Sequence, residues 1–371
     1  MLTVLSIFGT RPEAIKMAPV VKELQRRSGE VRSLVCVTGQ HREMLDQVLK
    51  LFAIKPDFDL NLMRPNQTLA GLTASLFEGL ERVLVETKPD WIVAQGDTTT
   101  VMVASLMAHY HQIRFGHVEA GLRTGDKFRP FPEEANRRIA DLLADAYFAP
   151  TEQSRQALLK EEVDSKNIFV AGNTVVDALM DVASRPFDWQ SSRLASLPAD
   201  KRLVLITAHR RESFGQPFLE LCEAIRELAS AHPQDQFIYP VHLNPNVRQP
   251  VNAILAGLEN VSLIEPLDYF EMVHLMKRAV LILTDSGGIQ EEAPSLGVPV
   301  LVMRDTTERP EGVAAGLVKL VGTKQDRIVQ ESAAILRHGS FVPAELRGSS
   351  PYGDGKAAQR IVSALLTGAM N

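Results

Sequence analysis

Apolar positions along this chain follow two alternating rhythms: short β-branched runs, then stretches in which apolar residues recur every three to four positions. In the first half the runs lie at Leu2 to Phe8, Arg32 to Val37, Trp91 to Ala94, Arg114 to Val118, Ala146 to Ala149 and Ile168 to Val170, each followed by helix-like sequence. The helix starting near Pro12 carries Ile15, Ala18, Val20, Val21 and Leu24 on one face, with the proline where a first turn tolerates it. Thr151, followed by Gln153 and Ser154, reads as the N-cap of another helix. A second series runs through Leu203 to Thr207, Gln236 to Tyr239, Val261 to Ile264, Val280 to Thr284, Val300 to Met303 and Val318 to Val321. This alternation predicts parallel sheets covered by helices, so the fold class is α/β with two Rossmann-like doubly wound domains. The stretch from Ser184 to Asp200, bracketed by prolines and without periodicity, reads as the linker region. No fixed-period repeat or low-complexity tract interrupts the pattern.

The 371 residues exceed one ordinary core and favour two domains. With 45% apolar and 23% charged residues the chain falls among globular proteins, and a net charge of −5 without long charged blocks argues against a nucleic-acid binder. Cys36 and Cys222 stand alone in apolar segments, which excludes a disulfide framework and fits a reducing cytoplasm. No segment approaches the roughly 20 apolar residues that span a bilayer.

In open parallel sheets ligands bind beyond the carboxyl ends of the strands, and that is where the unusual segments fall. Gly9-Thr10-Arg11-Pro12-Glu13-Ala14-Ile15-Lys16 sets two cations beside a helix start, which suits a phosphate-rich ligand or is a tight turn with solvated charges. It is neither a Walker A loop nor a dinucleotide fingerprint. Asp97 after the third run reads either as a cap of the next helix or as a functional acid. With Glu119 and with Glu133 or Glu134 it places several carboxylates beyond one sheet, a crowding that suits acid/base chemistry. In the second half His209-Arg210-Arg211 favours an anion, and Ser286-Gly287-Gly288 lets backbone NH groups approach phosphate, with Glu292 placed for ribose hydroxyls. His109 and His111 point in different directions and the chain has no His-Glu-x-x-His pair, so no metal is expected.

Taken in order, Gly9-Thr10-Arg11-Pro12-Glu13, Thr38-Gly39-Gln40-His41, Gly96-Asp97-Thr98-Thr99-Thr100, Gly116-His117-Val118-Glu119-Ala120-Gly121-Leu122-Arg123-Thr124 and Pro132-Glu133-Glu134-Ala135-Asn136-Arg137 closely resemble the non-hydrolysing UDP-N-acetylglucosamine 2-epimerase family. Ala208-His209-Arg210-Arg211-Glu212, Pro240-Val241-His242, Asp285-Ser286-Gly287-Gly288, Thr306-Thr307-Glu308-Arg309-Pro310-Glu311-Gly312 and Pro351-Tyr352-Gly353-Asp354-Gly355 continue the resemblance to the end of the chain. It implies a GT-B-like fold with a central cleft and domains at 1–171 plus 355–371 (carboxylates) and 172–354 (UDP). It also implies a cytoplasmic homodimer without metal or nicotinamide that interconverts UDP-N-acetylglucosamine and UDP-N-acetylmannosamine for surface polysaccharide.

By matching motif, Arg11, Lys16, His209, Ser286, Gly287, Gly288, Glu292 and Arg309 would hold UDP, Asp97, Glu119 and Glu133 would surround the sugar, and the uracil would rest near a loop from Leu267 to Met272. Asp97, Glu119, Glu133 and His209 are the expected catalytic set. Gln40, Glu134, Arg210 and His242 match a region where bacterial members take a second UDP-N-acetylglucosamine as activator, an allosteric site that would also include Glu43, although Glu43 and Asn66 depart from the Gln and Arg of members where that site is best defined. The implied chemistry is anti elimination of UDP to 2-acetamidoglucal and re-addition. A GT-B glycosyltransferase with a UDP-sugar donor is the alternative, followed by a hydrolysing epimerase and a sugar-nucleotide sensor.

Overall fold

The computed structural model describes residues 1–39, 42–64 and 66–368, and the chain forms two compact units, Met1–Ala178 with the segment from Tyr352, and Leu179–Pro351. Among the described residues the first unit holds a seven-stranded parallel sheet: β1 (Leu2–Phe8), β2 (Val31–Val37), β3 (Phe58–Asp59), β4 (Trp91–Gln95), β5 (Arg114–Val118), β6 (Ala146–Ala149) and β7 (Ile168–Val170), in the order β3-β2-β1-β4-β5-β6-β7. The second unit holds six parallel strands, β8 (Arg202–Thr207), β9 (Asp235–Pro240), β10 (Val261–Ile264), β11 (Ala279–Thr284), β12 (Val300–Val302) and β13 (Val318–Leu320), in the order β10-β9-β8-β11-β12-β13. Helices cover both faces, which is why central strands such as β1 and β8 are apolar almost without interruption: Val4, Leu5, Ile7, Phe8 and Leu203 to Ile206 are fully buried.

The connectivity decides where a ligand goes. From β1 the chain builds outward to β2 and β3, then returns to the other side of β1 as β4, so the loops after β1 and β4 part at the carboxyl edge of the sheet. The second unit repeats the reversal between β8 and β11. Gly9-Thr10 and Gly96-Asp97-Thr98 therefore flank one switch point, and Ala208-His209-Arg210 and Asp285-Ser286-Gly287 flank the other.

The helix Arg11–Arg26 begins with a capping box, in which the Glu13 carboxylate accepts the backbone NH groups of Gly9 and Thr10 at 3.1 and 2.7 Å and the Thr10 hydroxyl accepts that of Glu13 at 3.4 Å. The helix Ala357–Gly368 packs on the first unit: the Asp177 carboxylate accepts the NH groups of Ala357 and Ala358 at 3.2 and 2.9 Å, Arg27 reaches the Ser363 hydroxyl at 3.1 Å, and Leu365 is buried over Gly116 of β5.

The stretch from Ser184 to Asp200 is not a free linker. Leu194 and Leu197 are buried, Phe187 stacks on His274 with ring centroids 4.5 Å apart, and the Arg193 guanidinium donates to Glu271 at 2.8 Å, so the segment is part of the second unit and irregular only in backbone. The linker expectation failed because prolines report the loss of periodicity and not the loss of packing.

Candidate active site

Two turns on the first unit set the carboxylates. Gly96, at φ +85°, donates its NH to the Val118 carbonyl at 3.0 Å and turns the chain out of β4. Asp97 follows, but it does not cap the next helix. Thr98 holds the cap position of Thr99–Tyr110 and accepts from the Val101 NH, while Asp97 Oδ2 takes a short bond from Arg137 Nη2 and the Asp97 carbonyl accepts from Asn136 Nδ2 at 2.9 Å. The capping alternative for Asp97 is thus replaced by an ion pair to the helix Glu133–Leu143.

Glu119 leaves β5 at φ +68°, in the left-handed region that costs a non-glycine residue about 1–3 kcal/mol. Its side chain explains why that is tolerated. Oε1 accepts from Lys16 Nζ at 2.5 Å and from Asn173 Nδ2 at 2.9 Å, and Oε2 takes a short bond from Gln95 Nε2. A Cβ on Gly96 would stand 3.8 Å from Glu119 Oε2, so this carboxylate lies against the residue before Asp97. Lys16, expected to hold phosphate, is thereby joined to Glu119.

The neighbouring acids Glu133 and Glu134 differ. Glu134 is fully buried and served by the protein: it accepts the NH groups of Thr124 and Gly125 at 3.1 and 3.3 Å and pairs with Arg137 at 3.1 Å and Arg138 at 3.4 Å. Glu133, half-buried, keeps Oε2 enclosed without a hydrogen-bond partner. Leaving such an acceptor unmet costs on the order of 1–3 kcal/mol, which marks an oxygen available to a ligand. Its helix also carries Asn136 and Arg137, which both reach Asp97.

Behind these turns lies a group to which sequence reasoning gave no role. His117, fully buried in β5, has Nδ1 2.6 Å from Asp141 Oδ1 and Nε2 2.7 Å from the Gly96 carbonyl. Asp141 Oδ2 accepts the Gly121 NH at 3.2 Å and lies 2.8 Å from Arg123 Nη1, while Nη2 and Nε of the same guanidinium donate to Glu161. Burial pushes the imidazole toward neutrality, but the Asp141 charge, its hydrogen bond and the Gly96 carbonyl outweigh burial and raise the pKa; His117 and Arg123 likewise overcome burial and lower that of Asp141. The signal available was a histidine inside the strand Arg114–Val118, between Gly116 and Val118.

Gly121 closes the turn after Glu119 at φ +84°, where a Cβ would stand 2.4 Å from the Ser154 carbonyl oxygen. Gly121→Ala is expected to destabilise the protein by roughly 2–4 kcal/mol, through backbone strain plus a clash with main chain that cannot swing aside. Urea unfolding measures it, and a loss below about 1 kcal/mol would show that the turn relaxes.

On the second unit Asp285 is the anchor. Its Oδ2 accepts the NH groups of His209 and Arg210, each at 2.7 Å, and Oδ1 lies 3.7 Å from His209 Nδ1. The His209 ring stacks on His242 at 5.2 Å, and burial, His242 and Arg210 lower its pKa against the opposing pull of Asp285. Arg210 also pairs with Glu308 at 3.4 Å. Ser286 precedes the helix Gly287–Glu292, yet its hydroxyl makes no capping bond; its NH donates to Thr284 Oγ1 at 2.9 Å. Glu292 is buried beside the Tyr269 hydroxyl at 3.4 Å, and Arg309 is bonded to Glu291. The segment from Leu267 to Met272 is not one loop: Asp268 caps a helix at Tyr269–Arg278 by accepting the Glu271 NH at 2.8 Å, which places Met272 inside that helix and leaves Leu267 buried before it.

Arg11 is half-buried at the helix start. Gln40 lies outside the described residues, and Glu43 is described only as part of the helix Arg42–Leu51. Among the described residues no group of three or more His, Cys, Asp or Glu side chains is arranged to hold a metal ion, and no helix is long and apolar enough to cross a membrane.

A family model described as UDP-N-acetylglucosamine 2-epimerase matches residues 22–366. The chain belongs to the UDP-N-acetylglucosamine 2-epimerase family. It is similar to the UDP-N-acetylglucosamine 2-epimerases of Yersinia pestis, at 56% identity over 370 residues, and of Escherichia coli (strain K12), at 55%, each alignment covering 98% of both proteins. It also resembles the solved structure of the Neisseria meningitidis UDP-GlcNAc 2-epimerase bound to UDP-GlcNAc, with 48% identity, a TM-score of 0.87 and coverage of 99% of this chain and 100% of that one. The fold is the GT-B-like α/β architecture of these epimerases.

Proposed function

We propose that this chain interconverts UDP-N-acetylglucosamine and UDP-N-acetylmannosamine at C2 and leaves the sugar nucleotide intact. The observation that carries the reading is the carboxylate group on the first unit, in which Asp97 is held by Arg137, Glu119 by Lys16 and two amides, and Glu133 keeps a buried oxygen unengaged. The C2 proton beside an acetamido group is only weakly acidic, so direct removal would face a high barrier. Elimination avoids it: the C1–O bond breaks with its electron pair leaving on UDP, while a carboxylate takes the C2 proton from the opposite face and the C1=C2 bond of 2-acetamidoglucal forms. In return, a UDP oxygen adds to C1 and a carboxylic acid protonates C2 from the other face, inverting that centre.

The largest developing charge is on the departing pyrophosphate. Arg11, Lys16, His209, the Ser286-Gly287-Gly288 turn and Arg309 take that charge, with Glu292 on the ribose and Leu267 and Met272 beside the uracil. Within this reading the first unit supplies the acid/base groups together with Arg11 and Lys16 for the pyrophosphate, and the second supplies the other UDP contacts. The enzyme works as a cytoplasmic homodimer and supplies a precursor of surface polysaccharide.

One experiment tests both substrate and regulation. Proton NMR of UDP-N-acetylglucosamine with enzyme alone should show UDP-N-acetylmannosamine, and unchanged sugar in the absence of an acceptor would replace the epimerase by a transferase. If Arg210, His242 and Glu134 belong to an activator site, initial rates rise sigmoidally with UDP-N-acetylglucosamine and the reverse reaction from UDP-N-acetylmannosamine alone is sluggish. Hyperbolic rates in both directions would mean that Glu43 and Asn66 mark a loss of regulation.

A further inference from the structure

Asp97 and Glu119 stand on turns that leave adjacent strands, and one buried side chain is bonded directly to the first turn and, through Asp141, to the second. We infer that His117 is a positioning residue: an imidazolium that ties the turn before Asp97 to the turn after Glu119. What those turns do rests on the epimerase reading above.

The bonding pattern assigns the protons. Nε2 faces the Gly96 carbonyl at 2.7 Å, and a carbonyl only accepts, so Nε2 carries hydrogen. Nδ1 faces Asp141 Oδ1 at 2.6 Å. The other oxygen of Asp141 already receives the Gly121 NH and the Arg123 guanidinium, both pure donors, which keeps this group a carboxylate and puts the second hydrogen on Nδ1. The remaining charged or titratable groups around the ring agree with a cation. Asp97 adds negative charge, Arg123 is spent on Asp141 and Glu161, and Tyr147, the register partner of His117 on β6, stays a neutral phenol with its pKa raised to about 12 by burial and the nearby acids.

The consequence is mechanical. The Nε2–H bond orients the Gly96 carbonyl, one residue before Asp97, and Asp141 anchors the Gly121 NH, two residues after Glu119, so one charged pair sets two turns. A reacting group displaced by about 1 Å loses on the order of a hundredfold in rate. The sign of the pH effect follows: the imidazolium is present below its raised pKa and lost as pH rises through it, so kcat falls on the alkaline side as the turns are released.

The test uses the full chain. His117→Gln keeps an amide donor for Gly96 but loses the charge and the second donor; kcat should fall by about a hundredfold, KM for UDP-N-acetylglucosamine should stay within about threefold, and the alkaline limb of the kcat–pH profile should vanish. Asp141→Asn, which preserves shape, should move that limb to lower pH. Nitrogen-15 NMR of the wild type should show hydrogen on both ring nitrogens of His117 at neutral pH. A neutral ring there, or a folded His117→Gln enzyme with wild-type kcat and pH profile, overturns the inference. A wild type that epimerises nothing would refute the functional reading instead; the NMR state of His117 and the position of the Gly96 turn in a crystal structure of His117→Gln would then still decide the positioning role.

Discussion

Glu133→Gln is expected to lower kcat by about a hundredfold or more while leaving the unfolding midpoint unchanged, because Glu133 Oε2 makes no hydrogen bond within the protein and an amide loses only the proton-transfer capacity. Asp97→Asn and Glu119→Gln should fall at least as far, with different effects on stability. Asp97→Asn weakens the bond from Arg137, which remains paired to Glu134 at 3.1 Å, so the structural loss is small. Glu119→Gln removes the charge that faces Lys16 and leaves one oxygen to accept, so its NH2 opposes either Lys16 and Asn173 or Gln95, at a site where both members of the ion pair are largely enclosed. Removing one partner of such a pair costs roughly 3–5 kcal/mol when fully buried and somewhat less here. Steady-state kinetics and urea unfolding on the three variants separate the effects. Near-normal turnover in all three would end the assignment of these carboxylates.

In D2O, the UDP-N-acetylmannosamine formed should carry deuterium at C2 in essentially every molecule, because elimination breaks the C2–H bond and places that proton on a carboxylate that exchanges with solvent. Prolonged incubation should also accumulate free UDP and 2-acetamidoglucal, since site opening on the microsecond to millisecond scale competes with re-addition. Mass spectrometry and proton NMR of one reaction read both. A hydride shuttle would keep the original hydrogen, so epimerisation with complete retention of the C2 proton and no glucal would exclude elimination.

The sheets were legible in the sequence because strands buried on both faces write themselves as apolar runs: Leu2–Phe8 and Arg114–Val118 are the strands the pattern predicts. β3 was not, since two residues, Phe58 and Asp59, pair at the edge without any such run. Asp97 next to Thr98 offers two capping residues, and only the structure shows that the threonine takes the cap. Asp97 and Glu119 do lie just beyond the ends of β4 and β5, as the pattern predicts, whereas Glu133 opens the helix Glu133–Leu143. The partners of these acids were not legible: Lys16 and Glu119 are 103 residues apart and Asn173 and Glu119 are 54 apart, distances across which no periodicity or spacing carries information. His117 was quoted within a motif, but its role depends on Asp141 and the Gly96 carbonyl meeting at its two nitrogens.

The packing of the helix Ala357–Gly368 on the first unit bears on how the protein is made. A ribosome delivers residues 1–178 first, then the whole of Leu179–Pro351, and only afterwards the helix whose Leu365 covers Gly116 of β5 and whose first NH groups satisfy Asp177. The second unit, contiguous in sequence, has all its parts as soon as it emerges. The first must wait, with β5 open on the face that helix covers and the half-buried Asp177 carboxylate without the NH groups of Ala357 and Ala358. Of the two units, the one that carries the carboxylates is therefore completed after the other during synthesis, and the nascent chain holds a finished Leu179–Pro351 unit while the first still lacks its covering helix.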